Sequence, residues 1–222
     1  MSNARRYRLL CPIARALDRV GDRWALLILR DLHAGPARFS DLMNSLSGIA
    51  SNLLANRLEQ LACDGLVEKR DAGYGVTLYA LTSLGMKSRE LLFELARFGG
   101  EFEPDEDIRP TESLRASAVT LAVALQRAGP GDVTGCAALV IDEQELEIRV
   151  EDGQASVSLR NARTPDLRIE TTYEATLDIS SGILSIEDYL AHYARVDILR
   201  EGQSADLLEL IGSALEKIAA PF

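Results

Sequence analysis

The stretch FSDLMNSLSGIASNLLANRLEQLACDGLV, Phe39–Val67, decides how the first half of this 222-residue chain folds. Phe39, Leu42, Met43 and Leu46 recur at i, i+3, i+4 and i+7, one apolar stripe on a short helix. Ser47-Gly48-Ile49 breaks that period: Gly48 suits a positive φ in a tight turn, and Ile49 fills the angle between two helices. A second helix follows with Leu54, Leu58 and Leu61 inward, and Asp64-Gly65 stops it. Its early outward positions are Ser51, Asn52, Ala55, Asn56 and Arg57. These small or hydrogen-bonding side chains can enter a major groove and read base edges.

Beyond the stretch, Leu66 to Arg70 and Val76 to Leu81 read as two strands joined by the glycine-containing tip Asp71-Ala72-Gly73-Tyr74-Gly75. Helix, turn, helix and hairpin, in that order, make a winged helix. Thr82 caps a further helix, with Leu84, Leu91, Leu95 and Phe98 at roughly helical spacing. Arg38, Lys69 and Arg70 flank the motif and are placed to hold it on phosphates without reading sequence. Arg57 is either a phosphate contact or one half of a salt bridge, to Glu59 or another acid, that holds the domain together. Asn52 and Asn56 lie one turn apart, and an asparagine amide can bond bidentately to adenine.

The span from about Cys11 to Gly99 resembles the HxlR-type winged-helix regulators, relatives of the MarR group. The residues that carry the resemblance are Cys11-Pro12, Gly21-Asp22-Arg23-Trp24, Leu27 to Leu32, Gly35-Pro36 and Arg38-Phe39. They continue through Leu42, Leu46, Gly48-Ile49, Leu54, Arg57-Leu58, Leu61 and Asp64 to Val67, then Tyr79 to Thr82 and Gly85. The resemblance implies a homodimeric regulator of transcription that binds double-stranded operator DNA and pairs through the first and last helices of the domain. Two features depart from the pattern. Ala50 stands where the family has a serine N-cap, a difference of ~1 kcal/mol, and the wing tip is short and weakly basic.

The net charge of −10 looks wrong for a DNA binder until it is divided. Residues 1–100 hold 14 Lys and Arg against 10 Asp and Glu, whereas residues 101–222 hold 10 against 24. The basic excess therefore lies with the helix-turn-helix, where counterion release from phosphates requires it. Three parts follow: a winged-helix domain over 1–100, an acidic, proline-containing linker over 101–110, and a second domain over 111–222. No apolar run reaches the length of a membrane helix. Arg5, Arg6 and Arg8 precede no apolar core of a targeting peptide, so a cytoplasmic protein is expected.

Cys11, Cys63 and Cys136 are too few and too scattered for a disulfide framework or a zinc site. Cys63 and Cys136 read as small buried residues. Cys11 differs through the resemblance, because some HxlR-type regulators sense oxidants or electrophiles with a cysteine near this place. It is the redox candidate, against a packed cysteine at the dimer contact. His33 and His192 are the two histidines, and no glycine-rich phosphate loop, nucleophile elbow or metal-ligand spacing appears. No cofactor and no enzymatic activity are expected.

The second half reads as α+β. An apolar helix from Leu114 to Leu125 is stopped by Gly129-Pro130-Gly131. Strands follow at Ala137–Ile141, Leu146–Val150, Gln154–Leu159 and Leu167–Thr171, the middle pair joined across Asp152-Gly153. The second strand alternates with charged residues and has one wet face. Helical segments at Thr172–Ile179 and Ile186–Tyr193, a strand at Arg195–Leu199 and a helix at Asp206–Ile218 complete an antiparallel sheet covered by helices. The run Pro165–Gly202 resembles the sterol-carrier-protein-like fold, through Asp166 before an alternating strand, Gly182, Leu184 to Leu190, Val196, Ile198 and Gly202.

That resemblance implies an apolar tunnel between sheet and helices, lined by Tyr173, Leu177, Tyr189 and Leu190 from the helices and Ile148 and Ile169 from the sheet. Ala175 is a small position at which a larger side chain would block it. The function expected is a dimeric transcriptional regulator, read as a repressor, whose second domain binds an apolar small-molecule effector. The alternatives are a thiol switch through Cys11 with a purely structural second domain, and a lipid carrier that dimerises through its winged helix.

Overall fold

A computed structural model describes residues 6–102, 113–180 and 182–219. The contacts divide into two compact units, Met1–Ser88 and Arg89–Phe222. Most of the expected acidic linker, residues 103–110, lies outside the described residues.

The first unit holds α1 (Pro12–Val20), α2 (Ala25–His33), α3 (Phe39–Ser45), α4 (Ser51–Cys63), β1 (Val67–Asp71), β2 (Thr77–Leu81) and α5 (Ser83–Met86). Ile28 and Leu29 of α2 meet Leu42, Leu54, Leu58 and Leu61 in a core closed to solvent. The turn between α3 and α4 is the one the sequence requires, with Gly48 at φ +90° and Ile49 buried. Ala50 caps α4 with its backbone alone.

The wing pairs Val67 with Leu81 and Lys69 with Tyr79. Ala37 and Tyr79 exchange two backbone hydrogen bonds of 3.0 and 2.8 Å, adding a short bridge beside the hairpin. Gly85 explains itself by close approach: a Cβ there would stand 2.1 Å from the Leu66 carbonyl oxygen.

The single helix expected after Thr82 is two helices. Thr82 Oγ1 accepts from the Gly85 N–H, and α5 ends one turn later. The Ser88 hydroxyl donates to the Gly85 carbonyl at 2.7 Å and contacts His33 Nε2 at 3.0 Å, so it satisfies the chain at the break.

The second unit runs α6 (Arg89–Gly100), α7 (Arg115–Ala128), β3 (Gly135–Ile141), β4 (Gln144–Glu151), β5 (Gln154–Leu159), β6 (Leu167–Thr171) and α8 (Tyr173–Ser180). It continues through α9 (Ile186–Asp188), which runs into a π-helical turn at Tyr189–Tyr193, then β7 (Arg195–Ile198) and α10 (Ser204–Ala219). The five strands lie in the order β5-β4-β3-β6-β7. The sheet is mixed rather than antiparallel, because β3 and β6 pair in parallel, Leu139 opposite Ile169.

The cause is the connection after β5, which crosses the sheet instead of turning back. On the way the Ala162 N–H donates to Glu145 (2.6 Å) and the Asp166 N–H to the Cys136 carbonyl (2.7 Å). The crossing chain also changes the expected wet face of β4: Glu147 is only 3% exposed, held by Arg149 and Arg160. Burial raises the pKa of this carboxyl, but the hydrogen bonds from the two arginines outweigh it and hold the group below the ordinary carboxylate value.

The opposite sheet face is covered by helices. Gln126 of α7 clamps the β4–β5 hairpin with two 3.0 Å bonds, to the Gly153 carbonyl and from the Ala155 N–H.

Candidate functional site

In the first unit α4 presents Ser51, Asn52, Ala55 and Asn56 to solvent, while Leu54 and Leu58 fix its other face in the core. These four positions form one accessible patch on the first two turns. Arg57 does not join it freely: its Nε lies 2.8 Å from Asp22 Oδ1, which also accepts from the Trp24 N–H at 3.1 Å. Of the two roles open to Arg57 in the sequence, the structure shows the salt bridge.

Arg38 is exposed at the start of α3, its N–H donating to Asp41. Lys69 lies 5.8 Å from the centre of the Tyr79 ring, and Arg70 pairs with Glu68 on the same strand. The wing therefore carries cations beside the patch, and its tip is the fully exposed Tyr74 between two positive-φ glycines.

The second unit holds a partly open cavity of about 470 Å³. Its floor is the helix-covered sheet face, with Leu139, Ile141, Leu146 and Ile169. Tyr173, Leu177, Tyr189 and Leu190 line it from α8 and the π-helical turn, and Ile211 and Leu215 from α10. Ile148 does not border it; this side chain is closed to solvent between Ala137 and Val157 of the flanking strands. Ala175 is buried but is not part of the wall.

Hydroxyls interrupt the apolar lining at Ser117, Thr120, Tyr173, Thr176 and Tyr189. Burial raises the Tyr189 pKa, and hydrogen bonds with Thr171 and Thr176 partly offset this. The Thr171 and Thr176 hydroxyls also lie 3.0 and 2.9 Å from the main-chain carbonyls of Tyr193 and Thr172. Such a space suits an apolar body that carries a few hydrogen-bonding atoms.

The sequence reading missed one wall. Ala96, Arg97, Gly100 and Glu101 of α6 line the cavity, although this helix reads as the end of the winged domain. Its contacts group it with the second unit: Arg89 donates to the Ala122 carbonyl, and Arg127 of α7 reaches both Glu90 and Glu94 at 2.7 Å. Small residues at 96 and 100, one turn apart, were the available signal.

The cysteines divide differently from expectation. Cys136 is buried and Cys11 and Cys63 are exposed. Cys63 falls two residues after buried Leu61, which turns it to the outer side of α4. Among the described residues no group of three or more His, Cys, Asp and Glu could hold a metal ion, and no helix is long and apolar enough to cross a membrane.

A family model described as HxlR-like helix-turn-helix matches residues 19–107. The HTH-type transcriptional regulator YtfH of Escherichia coli is 37% identical over 90 residues, 39% of this chain and 70% of that protein. The chain belongs to the HxlR-like helix-turn-helix family.

Two Bacillus subtilis HTH-type regulators extend the HxlR-like match: YvaP, 31% identical over 42% of this chain and 89% of its own length, and YodB, 29% over 45% and 92%. The solved reduced form of YodB aligns with 44% of this chain and all of that one at a TM-score of 0.39. Members of this HxlR-like group are named as transcriptional regulators, a non-enzymatic family that binds DNA. The family model ends before α7, so most of the cavity wall belongs to sequence it does not describe.

Proposed function

We propose that this HxlR-like chain is a homodimeric repressor, acting in the cytoplasm, whose second unit binds an apolar effector. The observation that carries the reading is the 470 Å³ cavity, within the range of small-molecule sites, in a unit appended to a DNA-binding family module. We read this order of sheet, helices and apolar interior as a sterol-carrier-like domain. Asn52 and Asn56 read bases, Ser51 and Ala55 shape the contact, and Arg38, Lys69 and Arg70 hold phosphates.

Dimerisation is supported by large apolar side chains left open to solvent. Tyr7, Leu9, Leu10, Ile13 and Leu17 are exposed on and before α1, and Leu91, Leu95, Phe98 and Phe102 on α6 and just beyond it. A stable interface covers roughly 800 Å² per partner, and apolar side chains of this kind make up its centre. Selection from random duplexes followed by footprinting tests the reading. An inverted repeat with half-sites about 34–36 Å apart is expected, and protection of one half-site by a monomer contradicts it.

A second reading is favoured by the exposure of Cys11 at the N-cap of α1. Oxidation of this thiol would then control DNA binding with the second unit purely structural. Under that reading diamide releases DNA from the wild-type chain and not from Cys11→Ser.

A further inference from the structure

β7 closes one edge of the sheet, and among the described residues it has a neighbouring strand on one side only. Two hydrogen bonds fix which of its main-chain groups meet β6. The Thr171 carbonyl of β6 accepts from the Asp142 N–H, just past β3, at 3.1 Å, and the Leu199 N–H donates to the Asp166 carbonyl at 2.9 Å. Arg195 stands opposite Glu170 and Asp197 opposite Arg168. The alternation of an antiparallel ladder therefore turns the main-chain groups of Arg195, Asp197 and Leu199 toward β6, and those of Ala194, Val196 and Ile198 outward. The far edge of the sheet is already engaged, because the Ala155 N–H of β5 donates to Gln126.

The outer edge of β7 is complementary to itself. Arg195 and Asp197 share one face, 3.1 Å apart. An antiparallel copy of the strand centred on Val196 sets each Arg195 opposite an Asp197, a favourable cross-strand pair. On the other face it sets each Ile198 opposite an Ala194, large against small. Just beyond the strand it brings Tyr193 opposite Leu199. Ile198, Leu199 and Tyr193 are 57, 55 and 50% exposed, and such a copy would cover them. The same outward groups allow a pairing moved by two residues, but that sets Asp197 opposite Asp197 or Arg195 opposite Arg195. Charge and hydrogen-bonding parity together select one register.

We propose that β7 pairs with β7 of a second copy of this chain, antiparallel about Val196, so that one sheet runs through two second units. The occupant is a second copy because the charge order of the edge is matched by its own reverse. A two-fold contact of this kind is satisfied by one partner, whereas an open edge left uncovered invites indiscriminate pairing. The contact lies wholly in the second unit. It depends neither on the effector reading nor on the exposed apolar residues of α1 and α6.

Two full-length variants, each made single-signed at the edge, test the pairing. Arg195→Asp leaves acids at both positions, and Asp197→Arg leaves bases at both. Neither should pair through β7 alone, so sedimentation equilibrium should show association weakened by about tenfold or more in each. An equimolar mixture should recover to within about threefold of wild type. The mixture decides the matter, because like charges within each strand persist and only contact between copies relieves them. Thermal midpoints of the separate variants report any loss of folding.

Register is read by mild oxidation in a Cys11→Ser, Cys63→Ser background. Val196→Cys should link two copies, since Cα atoms of a hydrogen-bonded antiparallel pair lie about 5.5 Å apart, within disulfide range. Ile198→Cys, at an exposed site, should not, because its two copies fall four residues out of step, about 14 Å. Single-sign variants that associate as wild type does overturn the proposal. So does a mixture no tighter than its parts, or linking that shows no preference for Val196→Cys over Ile198→Cys.

Discussion

Arg57 Nε lies 2.8 Å from Asp22 Oδ1, an ion pair that ties α4 to the turn before α2. Both side chains are about one-third exposed, so solvent screens the pair and about 0.5 kcal/mol of coupling is the reasonable size. A double-mutant cycle with Arg57→Ala and Asp22→Asn should return that value in chemical denaturation. Arg57→Ala should leave the salt slope of DNA binding unchanged. A slope reduced by about one would return the residue to the phosphate contacts.

Asn56→Ala should weaken operator binding by about 1–3 kcal/mol and barely alter binding to random duplex. Lys69→Ala should weaken both alike and flatten the salt dependence. Equal losses on every sequence for Asn56→Ala would remove it from the base-reading set.

Ala50 sits in extended conformation at φ −74°, ψ 142° with no side chain to cap α4. Ala50→Ser should therefore stabilise the first unit by ~1 kcal/mol, seen as a rise of a few degrees in its melting temperature. An unchanged or lower midpoint would mean that the start of α4 has no room for the serine hydroxyl to turn back on the backbone.

How much of this was legible in the chain depended on how local the signal was. The α3–turn–α4 unit could be read because Leu42, Leu46, Leu54, Leu58 and Leu61 keep one period and Gly48 interrupts it. The limits of β5 and β6 could be read because Asp152-Gly153 fixes the preceding hairpin and both strands alternate. The parallel pairing of β3 with β6 could not, since alternation does not record which distant strand lies alongside.

Leu146 and Ile148 share one face of β4, and only the packing of helices above decides that Leu146 meets a void while Ile148 meets none. The role of α6 was hidden for a related reason. A helix apolar on two sides looks like a single domain-closing helix until its contacts with α7 are seen.

Glu147 makes the second unit sensitive to acid. Its pKa in the folded chain is below the unfolded value, so the stability it contributes is present above the unfolded carboxylate pKa and is lost as pH falls through the folded one. Thermal midpoints measured from pH 7 downward should fall more steeply in wild type than in Glu147→Gln. The variant should already be less stable at neutral pH, where Arg149 and Arg160 have lost their charged partner. Parallel curves would show that other carboxylates govern the acid response.

The central claim is that the second unit keeps an open, apolar space for a small molecule. A crystal of the full chain under xenon pressure asks this without assuming any ligand, because apolar cavities that exclude water take up xenon. The account predicts xenon bound among Leu121, Ile169 and Leu215, and none there in Ala116→Phe. An interior in which these side chains touch one another, with no xenon at any pressure the crystal survives, would contradict it.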